Sequence, residues 1–403
     1  MTSPSSPGNV AVLGCGPAGM AAAMSIVQAG HDVTLFERYP EARPAGNILN
    51  LWPPPLKALG ILGVDTEDLG APCRQELRSA RGHLRAKVAL PGPIEREFGG
   101  TFIGLLRPEL YERMLAALPS GVLETGREVT RVDQDAEKVT LHFQDGATGR
   151  FDVLVGADGI NSTVRRSLWN DGPPREHNLR LVGGYTFARD TGAVPGQAVI
   201  MFDRKSQGSH TSIRHKGRDG FQWWVLGAYP ADAPAPSDLP AHAAKLVRNF
   251  PGPMPKLVAA TDPDCVQTWM IRDRPPIPQW SRGRITLAGD AAHPTSPYAA
   301  YGAGMSIEDG YFLGRALAHR DLTDATQVET ALRAYEDPRK THTSWQTELA
   351  YRNGRLFHHV PAPLRPLRDL VLDHTPLLQR LMGRKRPGAI MEQLDLIESR
   401  AVL

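Results

Sequence analysis

The sequence has few cysteines, no long apolar run and almost no excess of charge of either sign. Its three cysteines, Cys15, Cys73 and Cys265, form no CxxC or CxxH pair that would indicate a redox disulfide or a zinc site. No apolar run approaches the roughly 20 residues that cross a bilayer, and residues 1–8 lack the charged start and apolar stretch of a secretory signal. We therefore expect free thiols, no metal site, no membrane span and a cytoplasmic location.

The charge balance argues against nucleic acid as a partner. The 46 basic and 43 acidic residues leave a formal net charge of +3, which is too small to give a dominant attraction to a polyanion. Hydrophobic residues make up 41% of the 403 residues and charged residues 22%, as in ordinary globular proteins. This composition is simply that of a globular protein. We expect a small-molecule substrate, no nucleic-acid partner, and a monomer or a homodimer.

The first twenty residues contain the pattern of a nucleotide-binding turn. Residues 9–13, NVAVL, are short and apolar, as expected of a strand buried on both faces of a parallel sheet. The next six residues, which have the pattern GxGxxG, are Gly14, Cys15, Gly16, Pro17, Ala18 and Gly19. The first glycine permits the tight turn, the second lets a pyrophosphate approach, and the third lets the helix pack closely on the strand. The proline suits the first turn of that helix.

A second apolar strand ends in an acid. Residues 33–36 lead into Glu37, about 20 residues beyond the glycines, where a carboxylate can accept hydrogen bonds from the adenosine ribose. Arg38 beside it is placed to stack on adenine or to contact a phosphate. The ordered strand, glycines, helix, strand and acid predict dinucleotide binding, with NAD and FAD both open.

Two later segments each end an apolar strand with an aspartate and a glycine. Residues 151–159, FDVLVGADG, run into a turn at Asp158, and residues 283–290, GRITLAGD, end in Gly289 and Asp290. With the GxGxxG motif, and in this order, they resemble the motifs of the class A flavoprotein monooxygenases, the group that contains p-hydroxybenzoate and salicylate hydroxylases. The resemblance extends over about residues 9–350 and indicates FAD.

The resemblance implies roles for further residues around a non-covalently bound FAD. Asp290 would contact the ribityl chain, and Asp158 would serve flavin and nicotinamide binding in alternation. The alternative for each is a turn aspartate that bonds its own backbone. Arg107 would open a helix and reach the flavin, and Arg43 would cover the flavin edge. The segment that would offer glycines, backbone N–H groups and a helix start to the reduced flavin includes Pro297, Gly302, Ala303, Gly304 and Met305.

The sequence departs from the family pattern beside this segment. The family usually carries glycine where Ala300 stands and often glutamine where Tyr301 stands, and residues 52–55, WPPP, are richer in proline than usual. We expect these departures to bear on the substrate rather than on FAD.

The spacing of the motifs predicts an α/β fold of the p-hydroxybenzoate hydroxylase kind, with a Rossmann-type FAD-binding domain, a β-sheet substrate domain and C-terminal helices. The predicted boundaries are residues 1–72, 99–180 and 269–350 for a discontinuous FAD-binding domain, 73–98 and 181–268 for a mainly antiparallel β domain, and 351–403 for the C-terminal helical segment. A long helix over residues 327–357 is expected to break near Pro338.

The resemblance implies a single-component FAD-dependent monooxygenase that uses NAD(P)H and O2 to hydroxylate an aromatic or polycyclic small molecule through a flavin C4a-hydroperoxide. No second GxGxxG unit is present, so we expect transient nicotinamide binding, and NADH and NADPH both stay open. The candidate substrate-pocket and catalytic residues are Tyr185, His210, Arg214, Trp224, His293, Pro294, Tyr298 and Tyr301. Trp223 and Trp224 must face opposite sides of a strand, so that one can be pocket wall and the other core.

Three other functions stay open at this point. A flavin-dependent halogenase would share FAD binding, although its WxWxIP signature is absent from the sequence. An isoprenoid-lipid epoxidase or reductase would share the glycine motifs and differ in substrate length. A non-enzymatic flavin-binding module would consume no NAD(P)H.

Overall fold

The computed structural model describes residues 7–43 and 46–399 of the chain. The strands are, in chain order, β1 (Asn9–Leu13), β2 (Asp32–Glu37), β3 (Ile48–Leu51), β4 (Ala71–Ser79), β5 (Leu84–Val88), β6 (Phe102–Leu106), β7 (Leu123–Thr125), β8 (Val129–Gln134), β9 (Val139–Phe143), β10 (Thr148–Phe151), β11 (Val153–Gly156), β12 (Arg175–Thr186), β13 (Gln197–Phe202), β14 (Ser206–His215), β15 (Arg218–Ala228), β16 (Gln267–Asp273) and β17 (Ile285–Leu287).

The α-helices are, in the same order, α1 (Pro17–Gln28), α2 (Pro53–Ile61), α3 (Gly92–Glu97), α4 (Arg107–Ala116), α5 (Thr163–Trp169), α6 (Leu239–Val247), α7 (Met254–Ala259), α8 (Gly302–Leu317), α9 (Ala325–His358), α10 (Arg365–His374), α11 (Leu377–Arg380) and α12 (Arg386–Ser399). A π-helical turn, Leu381–Lys385, joins α11 to α12. Among the described residues, no helix is both long enough and apolar enough to span a membrane.

A parallel sheet brings the sequence motifs to one edge. Its strand order is β17-β11-β1-β2-β7, and all its pairings are parallel. The carboxyl ends of parallel strands lie at the same edge of a sheet. The turns that follow β1, β2, β11 and β17 therefore meet at this edge, and these turns carry the glycine motif, Glu37, Asp158 and the Gly289–Asp290 pair. A smaller antiparallel sheet, β10-β9-β8, lies beside it.

Helix α8 packs closely on α1 because small residues face each other at the crossing. A side chain at Gly310 would lie 2.6 Å from the Ala21 Cβ and closer still to the α1 backbone. A side chain at Gly314 would collide with Ser25, whose hydroxyl donates to the Tyr311 carbonyl at 2.9 Å. The crossing places the first turns of both helices at the motif-bearing edge.

A larger mixed sheet forms the second layer. Its order is β16-β12-β15-β14-β13-β4-β6-β3, with β5 paired to β4. Successive side chains of β15 point to opposite faces, as predicted for the tryptophan pair. Trp223 is fully buried, and its indole Nε1 donates to the Thr261 hydroxyl at 2.8 Å. Trp224 faces the other side of the sheet.

The larger sheet crosses the boundaries drawn from the sequence. Strands β3 and β6, which the prediction assigned to the FAD-binding domain, pair with each other, and β6 also pairs with β4. The β13–β4 pairing is parallel, in a sheet expected to be mainly antiparallel. Both features depend on pairings between distant segments, which no local pattern encodes. The division into domains remains a prediction.

Helix α9 runs unbroken through Pro338, so the predicted break is wrong. Proline removes one backbone donor from a helix, but the next residue anchors α9 strongly. The Arg339 guanidinium donates to Asp309 and Glu308 of α8, both at 2.8 Å. This buried anchorage holds the helix on both sides of the proline, after which α10 to α12 cover the end of the larger sheet.

Candidate active site

The glycine-rich turn has the geometry expected of a pyrophosphate cradle. Gly14 has a φ of +103°, and a side chain there would lie 2.5 Å from the Ala157 carbonyl oxygen. A side chain at Gly19 would collide with the Gly14 carbonyl. Gly16, at the N-cap of α1, has no heavy atom within 4 Å of where its side chain would be. Gly14 and Gly19 are thus needed for packing, whereas Gly16 opens onto free space before the α1 N-terminus.

The acid at the end of β2 closes this turn. One Glu37 carboxylate oxygen accepts the Cys15 N–H at 3.1 Å, and the other accepts the Tyr39 N–H at 3.0 Å. Each carboxylate oxygen has a further lone pair available for a ribose hydroxyl. Arg38 is exposed and donates to the Tyr39 hydroxyl at 3.0 Å.

The residue predicted to cover the flavin edge lies at the surface. Arg43 is exposed and pairs with Glu41 at 2.9 Å. The two residues after it, Pro44 and Ala45, lie outside the described residues. Its predicted role stays a prediction.

Asp158 accepts hydrogen bonds from the first turn of α5, and its other oxygen has no partner among the described residues. Its Oδ2 accepts the N–H of Thr163 at 2.7 Å and of Val164 at 3.4 Å, at the start of α5. Its Oδ1 is buried and has no hydrogen-bond partner among the described residues. Desolvation raises the pKa of this carboxyl. The local-turn and ligand-binding interpretations are therefore compatible, because one oxygen is available for each.

The Gly289–Asp290 turn joins both helix starts. Gly289 has a φ of +59°, and a side chain there would lie 2.7 Å from the Ala18 Cβ and 3.0 Å from the Ser306 Oγ. Asp290 is exposed between buried neighbours, so its carboxylate faces a groove in the protein. Enclosure by the groove walls raises the pKa of Asp290 by desolvation, and the charges of His293 and Arg107 oppose that shift.

Arg107 lies close enough to Asp290 for the two charges to interact. It begins α4, and its backbone N–H donates to the Asn47 carbonyl at 3.0 Å. Its side chain passes Gly46, where an added Cβ would lie 3.3 Å from the guanidinium. The negative charge of the Asp290 carboxylate favours the charged form of the Arg107 guanidinium. The structure thus brings Arg107 and Asp290 together, although they are far apart in sequence.

The loop before α8 holds an unusual backbone conformation. Ala300 has a φ of +45°, in the left-handed region that favours glycine, which accounts for the glycine usual in the family. The Trp52 indole Nε1 donates to the Ala300 carbonyl at 2.9 Å and holds the loop in place. The buried hydroxyls of Thr295 and Ser296 have no partner among the described residues. These hydroxyls and the α8 N-terminus form a polar surface suited to a ring with hydrogen-bonding edges.

A cavity of about 760 Å³ lies between this loop, the larger sheet and the C-terminal helices. The predicted site residues that line it are Arg107, Trp224, Pro297, Tyr298, Tyr301, Gly302 and Ala303. The amide and hydroxyl side chains on its sheet wall include Gln75, Gln207, Ser209, Thr211 and Gln222. Among the described residues, the lining has no carboxylate, lysine or histidine, and its charged groups are Arg107 and Arg386.

The two tyrosines of the lining are hydrogen-bonded to buried partners. The Tyr298 hydroxyl bonds to His358 Nε2, and the Tyr301 hydroxyl donates to the Glu308 carboxylate. Burial raises the pKa of both phenols well above its ordinary value. Both therefore keep their protons at neutral pH.

Three predicted pocket residues lie outside the cavity wall. Arg214 forms ion pairs with Asp68 at 2.6 Å and Asp219 at 2.8 Å on the protein surface. His210 opposes Trp223, on the core face of the sheet. Tyr185 packs edge-on against Phe187, with ring centroids 5.8 Å apart. Which strand residues line the cavity depends on the face to which each side chain points and on its position along the strand. The sequence alone did not determine either of these for the three residues.

Four further candidates support the loop without lining the cavity. His293 bonds to Asp309, whose Oδ2 also accepts the Gly289 N–H at 2.9 Å. Pro294 and Met305 are buried. Gly304 packs on the Tyr301 ring, 2.8 Å from an added Cβ. These residues do not line the cavity, and their predicted roles stay predictions.

Sequence reasoning missed a buried charge network under the loop. Arg339 of α9 contacts Glu308, Asp309, the Met305 carbonyl and Gln393 of α12. The signal was present in the sequence as two adjacent acids in an otherwise small and apolar helix, and an arginine in the next helix. The network ties α8, α9 and α12 together directly behind the Gly289–Asp290 turn.

These features fit FAD. The open space at Gly16, the free Asp158 oxygen, the exposed Asp290 carboxylate and the unpartnered hydroxyls before α8 offer donors and acceptors along one edge. The glycine turn and Glu37 would hold the pyrophosphate and adenosine ribose, Asp290 the ribityl chain, and the α8 start the ring.

Comparisons with known proteins agree with this geometry. A family model described as an FAD binding domain matches residues 8–349. The chain is 30% identical over 365 residues to the 6-hydroxynicotinate 3-monooxygenase of Bordetella bronchiseptica, with 85% of this chain and 91% of that protein covered. It is 30% identical over 337 residues to the FAD-dependent urate hydroxylase of Klebsiella pneumoniae subsp. pneumoniae, with 81% and 85% covered.

A solved structure confirms the fold over nearly the whole chain. The crystal structure of Klebsiella pneumoniae HpxO complexed with FAD and uric acid has a TM-score of 0.82 and 25% identity, and covers 95% of this chain and 96% of that one. The predicted α/β fold and the FAD cofactor are confirmed. From its motifs, its cofactor groove and these matches, the chain belongs to the class A FAD-dependent monooxygenases and is an enzyme of that family.

Proposed function

We propose that this enzyme hydroxylates an aromatic small molecule within the cavity, with NAD(P)H and O2 as co-substrates. The observation that carries the proposal is the cavity of about 760 Å³, which has the α8 loop on one side and Trp224 with apolar side chains on the other. The 6-hydroxynicotinate monooxygenase and the urate hydroxylase among the relatives support a planar ring as substrate. When bound, FAD would carry electrons from NAD(P)H to O2 and so activate oxygen toward a closed-shell ring.

The wall composition supports a substrate larger than one ring. Leucines from α9, α10, α11 and the π-helical turn line the end of the cavity beyond Trp224 and Phe202. Burying apolar area in such a wall favours binding by about 25 cal/mol for each Å² removed from water. A bicyclic or polycyclic aromatic skeleton would use this surface, and the enclosed wall would keep water from the reacting ring.

We assign the orientation of a substrate hydroxyl to Tyr298. Burial lowers the pKa of His358 to about 4, so its imidazole is neutral at physiological pH and can accept a hydrogen bond from the Tyr298 hydroxyl. The Tyr298 oxygen then has lone pairs available for a substrate O–H. A hydrogen bond accepted from a phenol raises the electron density of its ring, which favours attack by an electrophilic oxygen.

The test is oxygen incorporation. FAD-loaded protein would be incubated with NADH or NADPH, isotopically labelled O2 and phenols of one to three rings, and the products weighed. We expect one labelled oxygen atom in a product. Oxidation of NAD(P)H that yields only hydrogen peroxide with every phenol would contradict the proposal.

A variant pair tests the Tyr298 assignment. Tyr298→Phe removes the hydroxyl and keeps the ring, so kcat/KM should fall about tenfold or more. Tyr351→Phe changes another half-buried tyrosine, in α9 but outside the cavity lining, and should leave kcat/KM within about twofold. Equal rates in the two variants would remove Tyr298 from the mechanism.

The cellular location and the assembly state are further proposals. The three cysteines are free thiols, two of them buried, and burial raises the pKa of Cys15 to about 11. Unpaired thiols are typical of a reducing compartment, which supports a cytoplasmic location. The predicted monomer or homodimer can be distinguished by sedimentation of the FAD-loaded protein.

A further inference from the structure

Arg386 is a buried arginine for which the described residues provide no ionic or hydrogen-bonding partner. It begins α12, its residue is only 5% exposed, and it lines the cavity. Its Nη2 is buried with no hydrogen-bond partner in the described part of the chain. The contact that the guanidinium does make is with the Trp52 ring, 5.5 Å from the ring centroid.

The other buried arginines show how this protein normally accommodates such a charge. Each of them donates to a carboxylate or to backbone carbonyls, and they are Arg85, Arg165, Arg180, Arg274, Arg284 and Arg339. Arg339 is the nearest comparison, because it also contacts α12 and pairs with two carboxylates. Arg386 is the exception among them, and it is the one that lines the cavity.

An uncompensated buried cation is costly. Burial without a partner disfavours the charged form strongly, and desolvation lowers the pKa of Arg386 to about 10. The guanidinium is still protonated at neutral pH. A cation–π contact offsets only part of that cost. A protein keeps such a group where a ligand supplies the missing charge.

We propose that Arg386 binds an acidic group of the aromatic substrate, either a carboxylate or a phenolate. The inference rests on the proposed function for the identity of the ligand as substrate. A planar guanidinium offers paired N–H donors that match a carboxylate, and its fixed geometry would orient the ring as well as bind it. The substrate is then an aromatic acid with an apolar skeleton, since the rest of the end wall is leucine-rich.

The position of Arg386 favours substrate over FAD as the source of the negative charge. Arg386 shares the lining with Leu378 and Met382 of the C-terminal cover. The residues that fit the FAD phosphates and ribityl chain, Gly16 and Asp290, do not line that cavity. An acid at Arg386 would therefore lie on the side of the cavity that the C-terminal helices close.

The experiment compares an acid with its neutral amide. Binding of 3-hydroxy-2-naphthoate and of 3-hydroxy-2-naphthamide to FAD-loaded protein would be measured by calorimetry without NAD(P)H, so that no turnover is required. The native protein should bind the acid more tightly. Arg386→Gln should weaken the acid about ten- to hundredfold, as expected for loss of charge-assisted hydrogen bonds, and change the amide less than about twofold. Arg386→Lys should recover part of the acid affinity.

A control variant and two further readouts complete the test. Arg384→Gln changes an exposed arginine two residues earlier and should leave both affinities unchanged. FAD affinity should be the same in native and Arg386→Gln protein. Arg386→Met should melt at or above the native temperature without ligand, because it removes an unpaired buried charge.

The outcomes separate this inference from the proposed function. Equal affinity of native protein for acid and amide, equal weakening of both, or loss of FAD affinity alone would overturn it. So would failure of one-, two- and three-ring hydroxy acids to raise the native melting temperature. Acid binding that depends on Arg386, without oxygen incorporation in the turnover assay, would support the inference and count against the proposed hydroxylation.

Discussion

At the scale of single residues, the three glycines of the N-terminal turn do different physical work. Gly14 and Gly19 leave no room for a side chain against protein backbone, whereas Gly16 opens onto space at the α1 N-cap. A change at Gly14 would therefore disturb the contact between β1 and the turn after β11. A change at Gly16 would affect the ligand alone.

Gly16→Val should leave the protein folded and prevent FAD binding. Its side chain would occupy the space where a pyrophosphate meets the first N–H groups of α1, so at least two charge-assisted hydrogen bonds would be lost. We expect FAD affinity to fall about hundredfold or more, while the free energy of unfolding of the apoprotein changes by about 1 kcal/mol or less. FAD titration and urea unfolding measure the two quantities.

Gly60→Val is the matched control. Gly60 lies in α2, and nothing lies within 4 Å of where its side chain would be. It should keep native FAD affinity. An FAD-loaded Gly16→Val protein would show that the phosphates bind elsewhere.

The backbone geometry of single residues agrees with the sequence pattern where a glycine motif is present, and the contacts of these residues with FAD stay predictions. Gly14, Gly16 and Gly19 each have the surroundings that their predicted roles require. Arg214 does not line the cavity, because position along β14 directs it to Asp68 and Asp219. An arginine in a strand carries no local sign of which face it occupies, whereas a glycine turn constrains its own conformation.

At the scale of secondary-structure elements, the crossing of α1 and α8 connects the two ends of the FAD site. Both helices begin at the motif-bearing edge, and Gly310 lets their axes approach. Gly310→Ala should force the helices apart, because its Cβ would lie within 2.6 Å of Ala21 atoms. Overpacking of this kind costs about 1–3 kcal/mol. FAD affinity should fall as well, since the turns at both helix starts would move.

Gly60→Ala should change the stability of the protein in the opposite direction to Gly310→Ala. In a helix with free space, alanine is favoured over glycine by roughly 0.5–1 kcal/mol, so this variant should melt at or above the native temperature. Differential scanning calorimetry measures both variants. Native stability in Gly310→Ala protein would mean that the helices do not pack as described.

The sequence predicted the strands and helix of the parallel sheet better than the strands of the larger sheet. The parallel strands and their connecting helix follow from local periodicity and glycine spacing. The pairing of β13 with β4, whose residues are more than a hundred positions apart, depends on tertiary packing. The persistence of α9 through Pro338 has the same origin, because Arg339 gains its partners from α8 and α12.

At the scale of the whole molecule, buried histidines make folding sensitive to acid. Burial lowers the pKa of both His210 and His358 from 6.5 to about 4. Between these values the unfolded chain binds protons that the folded chain does not, so the free energy of unfolding should fall as pH falls from about 6.5 to about 4. Each histidine contributes on the order of 1 kcal/mol per pH unit in that window. Urea unfolding at several pH values measures the slope.

His210→Asn isolates the contribution of one histidine to the pH dependence of the free energy of unfolding. The raised pKa values of Asp158, Asp290 and Glu308 act in the opposite direction, because the folded state binds those protons more readily. These three acids are common to the native and the variant protein. The difference between the two proteins in the slope of the free energy of unfolding against pH is therefore due to His210. Parallel slopes would show that His210 takes up a proton as easily in the folded protein as in the unfolded chain.

Helix α12 adds Arg386 to the cavity wall and Gln393 to the charge network behind the Gly289–Asp290 turn. On a translating ribosome, β1 and α1 emerge before α12, whose two residues follow the other elements of the site. Domains fold as their segments become available during synthesis. A nascent chain therefore displays its phosphate-binding turn long before the wall around the ring is complete. FAD captured at that stage would lie in an open groove accessible to water, so productive loading of the cofactor follows the synthesis of α12.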